Sequence, residues 1–235
     1  MTQDAGAARP DGATPMHPAP LQRHILAEDV YEAVKAMVMD HVIEPGGRMS
    51  IDGTARILGV SPTPIREAPA RLESDGLVVK QALRGYSTTP LLGAAELADL
   101  FQLRHLLEPW GAAQAARRMD GTARQAIEAE LATSLDIPDD ATQYEAYKAL
   151  AAHDARFHDL VLALAGNGAV RAAFERTHCH LHLFRLFYAS GIGSQALREH
   201  REIARALVSG DPDAAAAAMT AHLHASEQRL RGAAQ

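Results

Sequence analysis

The stretch that decides the N-terminal fold is Gly59-Val60-Ser61-Pro62-Thr63-Pro64-Ile65-Arg66-Glu67-Ala68, followed by Arg71-Leu72-Glu73-Ser74-Asp75-Gly76-Leu77-Val78. Gly59 is the expected end of a short helix over residues 51–58, because glycine adopts the left-handed conformation that closes a helix. Ser61 is a candidate N-cap for the next helix, and Pro64 lies near its first turn, where a missing amide hydrogen costs least. The pattern predicts a second helix from about Thr63 to Asp75, closed by Gly76.

The segments on either side complete a small domain. Apolar residues recur at helical spacing from Leu26 to Ile43, and Pro45-Gly46-Gly47 then stops that helix. After Gly76, residues 77–79 and 85–89 favour two short strands around a turn at Arg84. Three helices and a small β-hairpin within residues 21–90 predict a winged helix-turn-helix.

The remainder, residues 91–235, is predicted to be all-helical, because no strand pattern follows Leu91. Helical stripes cover about residues 94–118, 122–135, 142–165, 169–190, 194–209 and 212–230. The breaks between them fall at Gly121, Pro138, Gly166, Gly191 and Gly210. The expected fold class is therefore mainly α, with the winged helix-turn-helix followed by an antiparallel bundle of about six helices.

Length and composition indicate the number of domains and the cellular compartment. A chain of 235 residues is long enough for two modest domains. Its lone cysteine, Cys179, excludes an internal disulfide and favours a reducing compartment. Residues 1–20, rich in Ala, Gly and Pro, are predicted to be a disordered tail. Neither a signal sequence nor an apolar run of about 18 residues occurs, so we expect a cytoplasmic protein without a membrane span.

The net charge of −6 argues at first sight against a nucleic-acid partner. Counted by segment, Lys and Arg against Asp and Glu number 3 to 7 in residues 1–44, 6 to 4 in residues 45–90, and 14 to 18 in residues 91–235. Only the segment of the predicted helix-turn-helix is net positive. A local basic surface can bind phosphates on an acidic protein, although an excess of two charges is a small one.

The run from Gly59 to Ala68, with Pro45-Gly46-Gly47-Arg48-Met49 before it, resembles the DNA-binding signature of the GntR superfamily of transcription regulators. The resemblance implies a recognition helix whose first turn enters the major groove of operator DNA, with an arginine at the wing tip near the minor groove. Arg66 would reach a guanine edge or a phosphate; the alternative is a surface ion pair with Glu67 or with an acidic residue one turn away. The expected DNA contacts are Arg48, Ser61, Thr63, Arg66, Arg71, Arg84 and Gly85.

Two prolines depart from the family pattern. Pro62 stands where relatives commonly carry an arginine, so one expected DNA contact is missing. Pro69 falls inside the predicted recognition helix, where it removes the backbone bond to residue 65 and costs roughly 3 kcal/mol if unrelieved. We expect a kink at Pro69.

Four polar residues interrupt the apolar stripes of the C-terminal half. Asp154 and His158 are four residues apart and share one helix face. His200 is in register with Leu197 and Ile203, and His222 is in register with apolar residues of the last helix, while His224 is rotated away. Taken singly, each of the four is more typical of a core or surface residue whose hydrogen bonds are satisfied. Taken together, one carboxylate and three imidazoles predict a divalent metal site that suits zinc.

The same half carries a set of short motifs: Leu103-Arg104, Leu107-Glu108, Asp154-Ala155-Arg156-Phe157-His158, Ala165-Gly166-Asn167, Glu199-His200, Gly210-Asp211 and His222-Leu223. This set resembles the FCD ligand-binding domain of the FadR subfamily over about residues 92–230. The resemblance implies that Asp154, His158, His200 and His222 bind zinc, nickel or a related ion beside a pocket for a small carboxylate.

Arginine and histidine side chains are the candidates for binding such an acid. Arg104 has a planar guanidinium that matches a carboxylate; the alternative is a helix-surface pair with Glu108, four residues on. His178, His182 and Arg185 share a helix face and either line the pocket or form a solvated face.

These features predict a transcription regulator, not an enzyme. Its partners would be double-stranded operator DNA, a small carboxylate effector and a second copy of the chain, because one winged helix contacts too few bases. Two alternatives remain: a purely structural metal, with DNA binding controlled by another signal, and a metal hydrolase, for which Glu199 is poorly placed as general base.

Overall fold

The structure is a computed structural model that describes residues 21–134, 143–186 and 192–233. The predicted tail, residues 1–20, lies outside the described residues. The N-terminal domain contains four helices and three strands: α1 (Leu21–Met39), β1 (Arg48–Met49), α2 (Ile51–Leu58), α3 (Pro62–Ile65), α4 (Ala68–Ser74), β2 (Val78–Gln81) and β3 (Gly85–Thr88). The predicted winged helix-turn-helix is confirmed.

The wing is a three-stranded antiparallel sheet in the order β1-β3-β2. The hairpin of β2 and β3 was predicted, whereas β1 was not, because two residues are too short to show an alternating pattern. Arg48 of β1 pairs with Ser87 of β3, and Val78 of β2 pairs with Thr88 of the same strand. Because Arg48 is exposed, the edge strand presents it to solvent beside the wing.

The recognition helix is divided in two. One helix from Thr63 to Asp75 was predicted, with a kink at Pro69; α3 in fact ends at Ile65, and α4 restarts at Ala68. Pro69 lies in the first turn of α4, where its missing amide leaves no gap in the hydrogen-bond ladder. The break thus relieves the cost of an internal proline.

Ser61 occupies the N-cap position of α3, but its side chain makes no capping hydrogen bond. A capping side chain accepts from the second or third amide of a helix; Pro64, the third residue here, has none, which leaves only the amide of Thr63. Gly59 and Gly76 end α2 and α4 at φ of 67° and 71°, as expected of closing glycines.

From residue 94 onward, the described residues of the C-terminal domain form helices joined by short turns, with no strand among them. It consists of α5 (Ala94–Arg117), α6 (Gly121–Ala132), α7 (Tyr144–Leu164), α8 (Gly168–Glu175), α9 (Cys179–Leu186), α10 (Ile192–Val208) and α11 (Pro212–Ala233). Up to residue 186, the predicted single helix over residues 169–190 is two helices, α8 and α9; residues 187–190 lie outside the described residues. The two helices meet at His178, whose φ of 47° is uncommon for a residue with a side chain. No glycine or proline marks this break, so the sequence pattern did not reveal it.

The bundle core is formed by the facing sides of α5, α7, α10 and α11. Its buried side chains include Ala112, Phe157, Val161, Ile203 and Leu223. This packing sets the four helices around a common axis and turns one polar side chain or more from each of them inward. In the described residues, no helix is both long and apolar enough to cross a membrane.

The two domains share one apolar core. Tyr144, Tyr147 and Ala151 of α7 belong to the same buried cluster as Val34 and Leu72 of the winged helix. A polar contact also joins the domains, since the backbone amide of Tyr144 donates to the Asp40 carboxylate at 2.7 Å. Helix α7 therefore packs directly against the DNA-binding domain.

Candidate metal centre and effector cavity

Three histidines from three helices converge in the bundle. His158 of α7 and His200 of α10 are fully buried, and His222 of α11 is 3% exposed. One ring nitrogen of each lies within 4.8 Å of the other two. The helical register used to select these residues therefore does bring the three side chains together.

Each of the three rings is held from behind at Nδ1. His222 donates to Glu199 Oε2 at 2.7 Å, and His158 donates to Glu108. His200 contacts His153 Nε2 at 3.1 Å, and His153 Nδ1 lies 2.9 Å from a carboxylate oxygen of Glu130. A carboxylate behind His153 favours the hydrogen on its Nδ1, so that its Nε2 accepts from His200.

This arrangement leaves the opposite nitrogen, Nε2, of each ring as a lone-pair donor on the side away from the group that holds Nδ1. Histidine ligands of metals are held in this way, with the second nitrogen donating to a carboxylate or carbonyl. In the described part of the chain, the buried Nε2 atoms of His158 and His200 have no hydrogen-bond partner. Unpartnered buried nitrogens are rare, and a bound cation would satisfy both of them. The residues present therefore fit a divalent metal ion.

The protonation state of the histidines agrees with this fit. Burial lowers the pKa of His158 to about 3. Burial likewise lowers the pKa of His222, despite its hydrogen bond to Glu199. Both rings are therefore neutral at pH 7, which is the form that binds a metal.

Asp154 lies at the edge of the histidine cluster. Its Oδ1 is 3.3 Å from His200 Nε2 and 4.0 Å from His158 Nε2. Its Oδ2 accepts a hydrogen bond from His180 Nδ1 at 2.6 Å. Burial alone would raise the pKa of Asp154, but the adjacent His180 outweighs it and holds the pKa well below its usual range. Asp154 is thus a carboxylate within reach of the same centre.

A cavity of about 50 Å³ adjoins this centre. It is lined by polar and apolar side chains from α5, α7, α9, α10 and α11: Arg104, Asp154, Leu183, Phe184, Ala196, His222, Ser226, Arg229 and Leu230. Its volume exceeds the 10–15 Å³ or so that one water needs, but admits only a small molecule.

Arg104 combines the two roles considered from the sequence. Its Nε donates to Glu108 Oε1 at 2.6 Å, so the ion pair with Glu108 exists. The pair is not on the surface, however, because Arg104 is 1% exposed and Glu108 is fully buried. The Nη2 atom of Arg104 is buried without a hydrogen-bond partner among the described residues. One donor therefore remains for a ligand in the cavity.

The other three residues expected to bind an effector lie elsewhere. His178 and His182 pack against Gly76 at the end of α4, where an added Cβ would stand 2.8 Å from His178 Cδ2. Arg185 donates from Nη1 to Thr89 Oγ1 at 2.8 Å and from Nη2 to the Thr89 carbonyl at 3.0 Å. They do not line the cavity beside the histidines, although His178 lines a second, open cavity of about 310 Å³. Their place is the contact between the domains.

The predicted DNA-contacting residues are all exposed on the winged helix. Arg66 makes no ion pair with any residue that the structure describes, so the expected alternative pair with Glu67 is absent there. Ser61 and Thr63 precede it at the start of α3, and Arg48, Arg84 and Gly85 lie on the wing.

Arg71 differs from the other predicted DNA contacts because it already has partners. It donates to both oxygens of Glu28, at 2.8 and 3.1 Å, and its guanidinium lies 3.7 Å from the centre of the Tyr31 ring. Contact with DNA would have to compete with this bidentate pair.

The sequence did not single out the residues that hold the three rings. The sequence gives Glu108 as a possible partner of Arg104, Glu199 as a poorly placed general base, and both as members of the short motifs, but it assigns neither to a histidine. Their contacts with His158 and His222 cross from one helix to another, so no spacing along the chain shows them. The sequence offers one signal for them. It is a glutamate close to a histidine on the same helix, at a position where the helical repeat predicts a buried side chain.

A winged helix-turn-helix joined to a helical bundle with an inward histidine cluster defines a two-domain transcription regulator. Comparison with known families agrees: residues 26–87 match the bacterial regulatory proteins of the gntR family, and residues 99–225 match the FCD domain. The chain therefore belongs to the GntR family of transcription regulators, and its C-terminal half is an FCD ligand-binding domain.

Individual relatives extend along most of the chain. The HTH-type transcriptional regulator YdhC of Bacillus subtilis is 26% identical over 203 residues, which are 86% of this chain and 89% of that protein. The Nta operon transcriptional regulator of Aminobacter aminovorans is 29% identical over 198 residues, covering 80% and 86%. The solved structure of E. coli McbR/YncC covers 88% of this chain and 97% of its own, with a TM-score of 0.61 and 16% identity, which shows a shared fold.

Proposed function

We propose that the protein is a cytoplasmic regulator whose affinity for operator DNA is set by a small organic acid bound beside a divalent metal in the FCD domain. One observation carries the proposal. Three imidazoles converge beside a cavity lined by a buried arginine with a free donor, and among the described residues the Nε2 atoms of His158 and His200 have no hydrogen-bond partner.

The metal would be held by Nε2 of His158, His200 and His222, with Asp154 as an oxygen ligand. Nitrogen and carboxylate ligands suit zinc, and nickel is compatible with the same set. Once bound, the ion supplies a positive charge that attracts one carboxylate oxygen of the effector. Glu108, Glu199 and the His153–Glu130 pair keep the three rings in position.

The effector is proposed to be a small carboxylate. Arg104 would donate from Nη2 while it keeps its bond to Glu108, and the walls around Leu183 and Leu230 are apolar. A small volume excludes long acyl chains. His178, His182 and Arg185 are not proposed as effector contacts, because they lie at the contact between the domains.

The DNA-binding half is proposed to act as a homodimer on two half-sites of double-stranded DNA. Ser61, Thr63 and Arg66 would meet the major groove, and Arg84 with Gly85 the neighbouring minor groove. Sedimentation velocity at micromolar concentration should give a dimer, and titration should give two chains per operator. A monomer in solution that stays one chain per operator would overturn this part.

A hydrolase is disfavoured by what surrounds Glu199. Its two oxygens accept from Arg229, at 2.7 and 2.9 Å, and Oε2 also accepts from His222. These hydrogen bonds outweigh burial and lower the pKa of Glu199 to about 2. A carboxylate that accepts these hydrogen bonds and has this low pKa orients His222 and is a poor general base.

The experiment that tests the proposal is an operator titration at fixed salt with metal-loaded and metal-free protein, each with a panel of small acids. We expect one class of acid to shift the operator affinity of the metal-loaded protein alone. A purely structural metal would instead raise the unfolding temperature without making any acid effective. That second result would reject the effector role and retain the metal site.

A further inference from the structure

A second group of metal-ligating side chains lies where α5 packs against α11, outside the buried histidine cluster. The rings of His105 on α5 and His224 on α11 have their centres 4.3 Å apart and are tilted by 38°. Glu227 follows His224 by one turn of α11, and its Oε2 is 3.7 Å from His105 Nε2. One ligand atom of each residue lies within 4.8 Å of the other two.

Hydrogen bonding within the group does not account for this arrangement. A separation of 3.7 Å between His105 and Glu227 is too long for a hydrogen bond. The Nε2 atom of His105 is buried and has no hydrogen-bond partner among the described residues. The other oxygen of Glu227, Oε1, accepts from Arg231 at 2.7 Å. The carboxylate is therefore held beside the two rings by a group on its far side.

We propose that His105, His224 and Glu227 form a second site for a divalent transition metal, separate from the buried one. Two imidazoles and one carboxylate are a ligand set that zinc uses, with a coordination position left for water. Tetrahedral zinc holds its ligand atoms about 3.4 Å apart, so ligand atoms that lie within 4.8 Å of one another must approach by at most about 1.4 Å. His224 is exposed, which leaves its ring room to rotate toward the other two ligand atoms.

The position of this outer site gives it properties that the buried site lacks. Solvent reaches it through the exposed His224, so its ion exchanges with the medium. It also joins the two helices that line the effector cavity, since Arg104 precedes His105 and His222 lies on the same helix as His224. With fewer protein ligands, the outer site holds zinc more weakly than the buried site does.

The test is the number of zinc ions bound per chain, measured by equilibrium dialysis and elemental analysis on the full chain without an affinity tag. We expect His224→Ala and Glu227→Gln each to bind one ion fewer than the unmodified chain. The matched control is Glu202→Gln on α10, which also removes an exposed carboxylate paired with an arginine, Arg205 at 2.5 Å. That variant should bind as many ions as the unmodified chain.

A second readout uses the single tryptophan, Trp110, five residues after His105 on α5. Paramagnetic Cu²⁺ quenches indole fluorescence at short range, so His224→Ala should remove one saturable quenching phase. If His224→Ala and Glu227→Gln bind as many zinc ions as the unmodified chain, the outer site does not exist. The comparison is made against the unmodified chain, so the result stands whether or not the buried site is confirmed.

Discussion

Glu108 is a fully buried carboxylate that contacts two residues with proposed functions. It accepts from Arg104 at 2.6 Å through Oε1 and from His158 through Oε2. Burial alone would raise the pKa of Glu108, but Arg104 and His158 outweigh it and hold the pKa well below its usual range. The residue therefore stays charged and links the proposed effector contact to the proposed metal ligand.

Replacing Glu108 with glutamine keeps its shape and removes its charge. We expect Glu108→Gln to lower stability by about 3 to 5 kcal/mol, because a buried guanidinium loses its counter-charge. We also expect zinc affinity to fall about 10-fold to 100-fold, the usual effect of losing a group that orients a ligand histidine. Denaturant unfolding and competition with a chelator measure the two effects. Zinc affinity equal to that of the exposed control Glu202→Gln would contradict the assignment.

Arg104 has to be tested without breaking its ion pair. Arg104→Lys keeps the charge opposite Glu108 but lacks the second nitrogen that a carboxylate would use. We expect effector affinity to fall at least about tenfold, since a hydrogen bond to a charged group contributes about 1.5 to 3 kcal/mol. Zinc affinity should change little. Calorimetric titration of the active acid measures this, and an unchanged affinity would leave Arg104 as a partner of Glu108 alone.

Helix α9 connects the proposed effector site with the DNA-binding domain at the level of elements. One side of the helix carries His180, which holds Asp154, and Leu183, which lines the cavity. The other side carries Arg185, which donates twice to Thr89 at the end of the wing. Thr89 in turn donates through Oγ1 to the Gly76 carbonyl at 3.1 Å, at the end of the recognition helix.

This chain of contacts gives a route for regulation that runs through Thr89. Thr89→Val removes the hydroxyl that joins Arg185 to Gly76 and keeps the branched shape. We expect the acid to bind with nearly unchanged affinity, while its effect on operator affinity falls by about fivefold or more, within the usual range of coupling energies. The control is Thr220→Val, whose hydroxyl donates within α11 to the Ala216 carbonyl at 2.8 Å. If the acid changes the operator affinity of Thr89→Val as much as that of the unmodified chain, regulation does not run through the Thr89 hydroxyl.

The elements show where sequence reasoning succeeds and where it stops. Periodicity placed His158, His200 and His222 on inward faces, because a buried face repeats along a helix. It merged α8 with α9, since the backbone turns at His178 without a glycine or proline. It also assigned Arg185 to the pocket, because a helix face is visible in sequence but the neighbour that covers it is not.

At the scale of the whole molecule, the charge distribution makes DNA binding depend on few residues. The chain carries a net charge of −6, and only residues 45–90 are net positive, with six basic against four acidic side chains. Arg71 is already paired with Glu28. Pro62 occupies the first turn of α3, so that turn contains no arginine. Arg66 is thus the main cation available at the front of the recognition helix.

Arg66→Ala should therefore lower operator affinity strongly and leave the binding of acid and zinc by the FCD domain unchanged. In a dimer the substitution removes two cations, so the slope of log affinity against log salt should fall in magnitude by about 1.8 if both contact phosphates. If Arg66 instead binds guanine, the free energy of operator binding should weaken by about 1 to 3 kcal/mol per half-site. The protein should then lose its base preference at one base pair, and the salt slope should change less. Binding of the acid and zinc should match that of the unmodified protein, because Arg66 is exposed and far along the chain from the bundle. Operator titrations at several salt concentrations, with base-substituted operators as comparison, separate the two contacts, and unchanged affinity and slope would exclude Arg66 from the DNA interface.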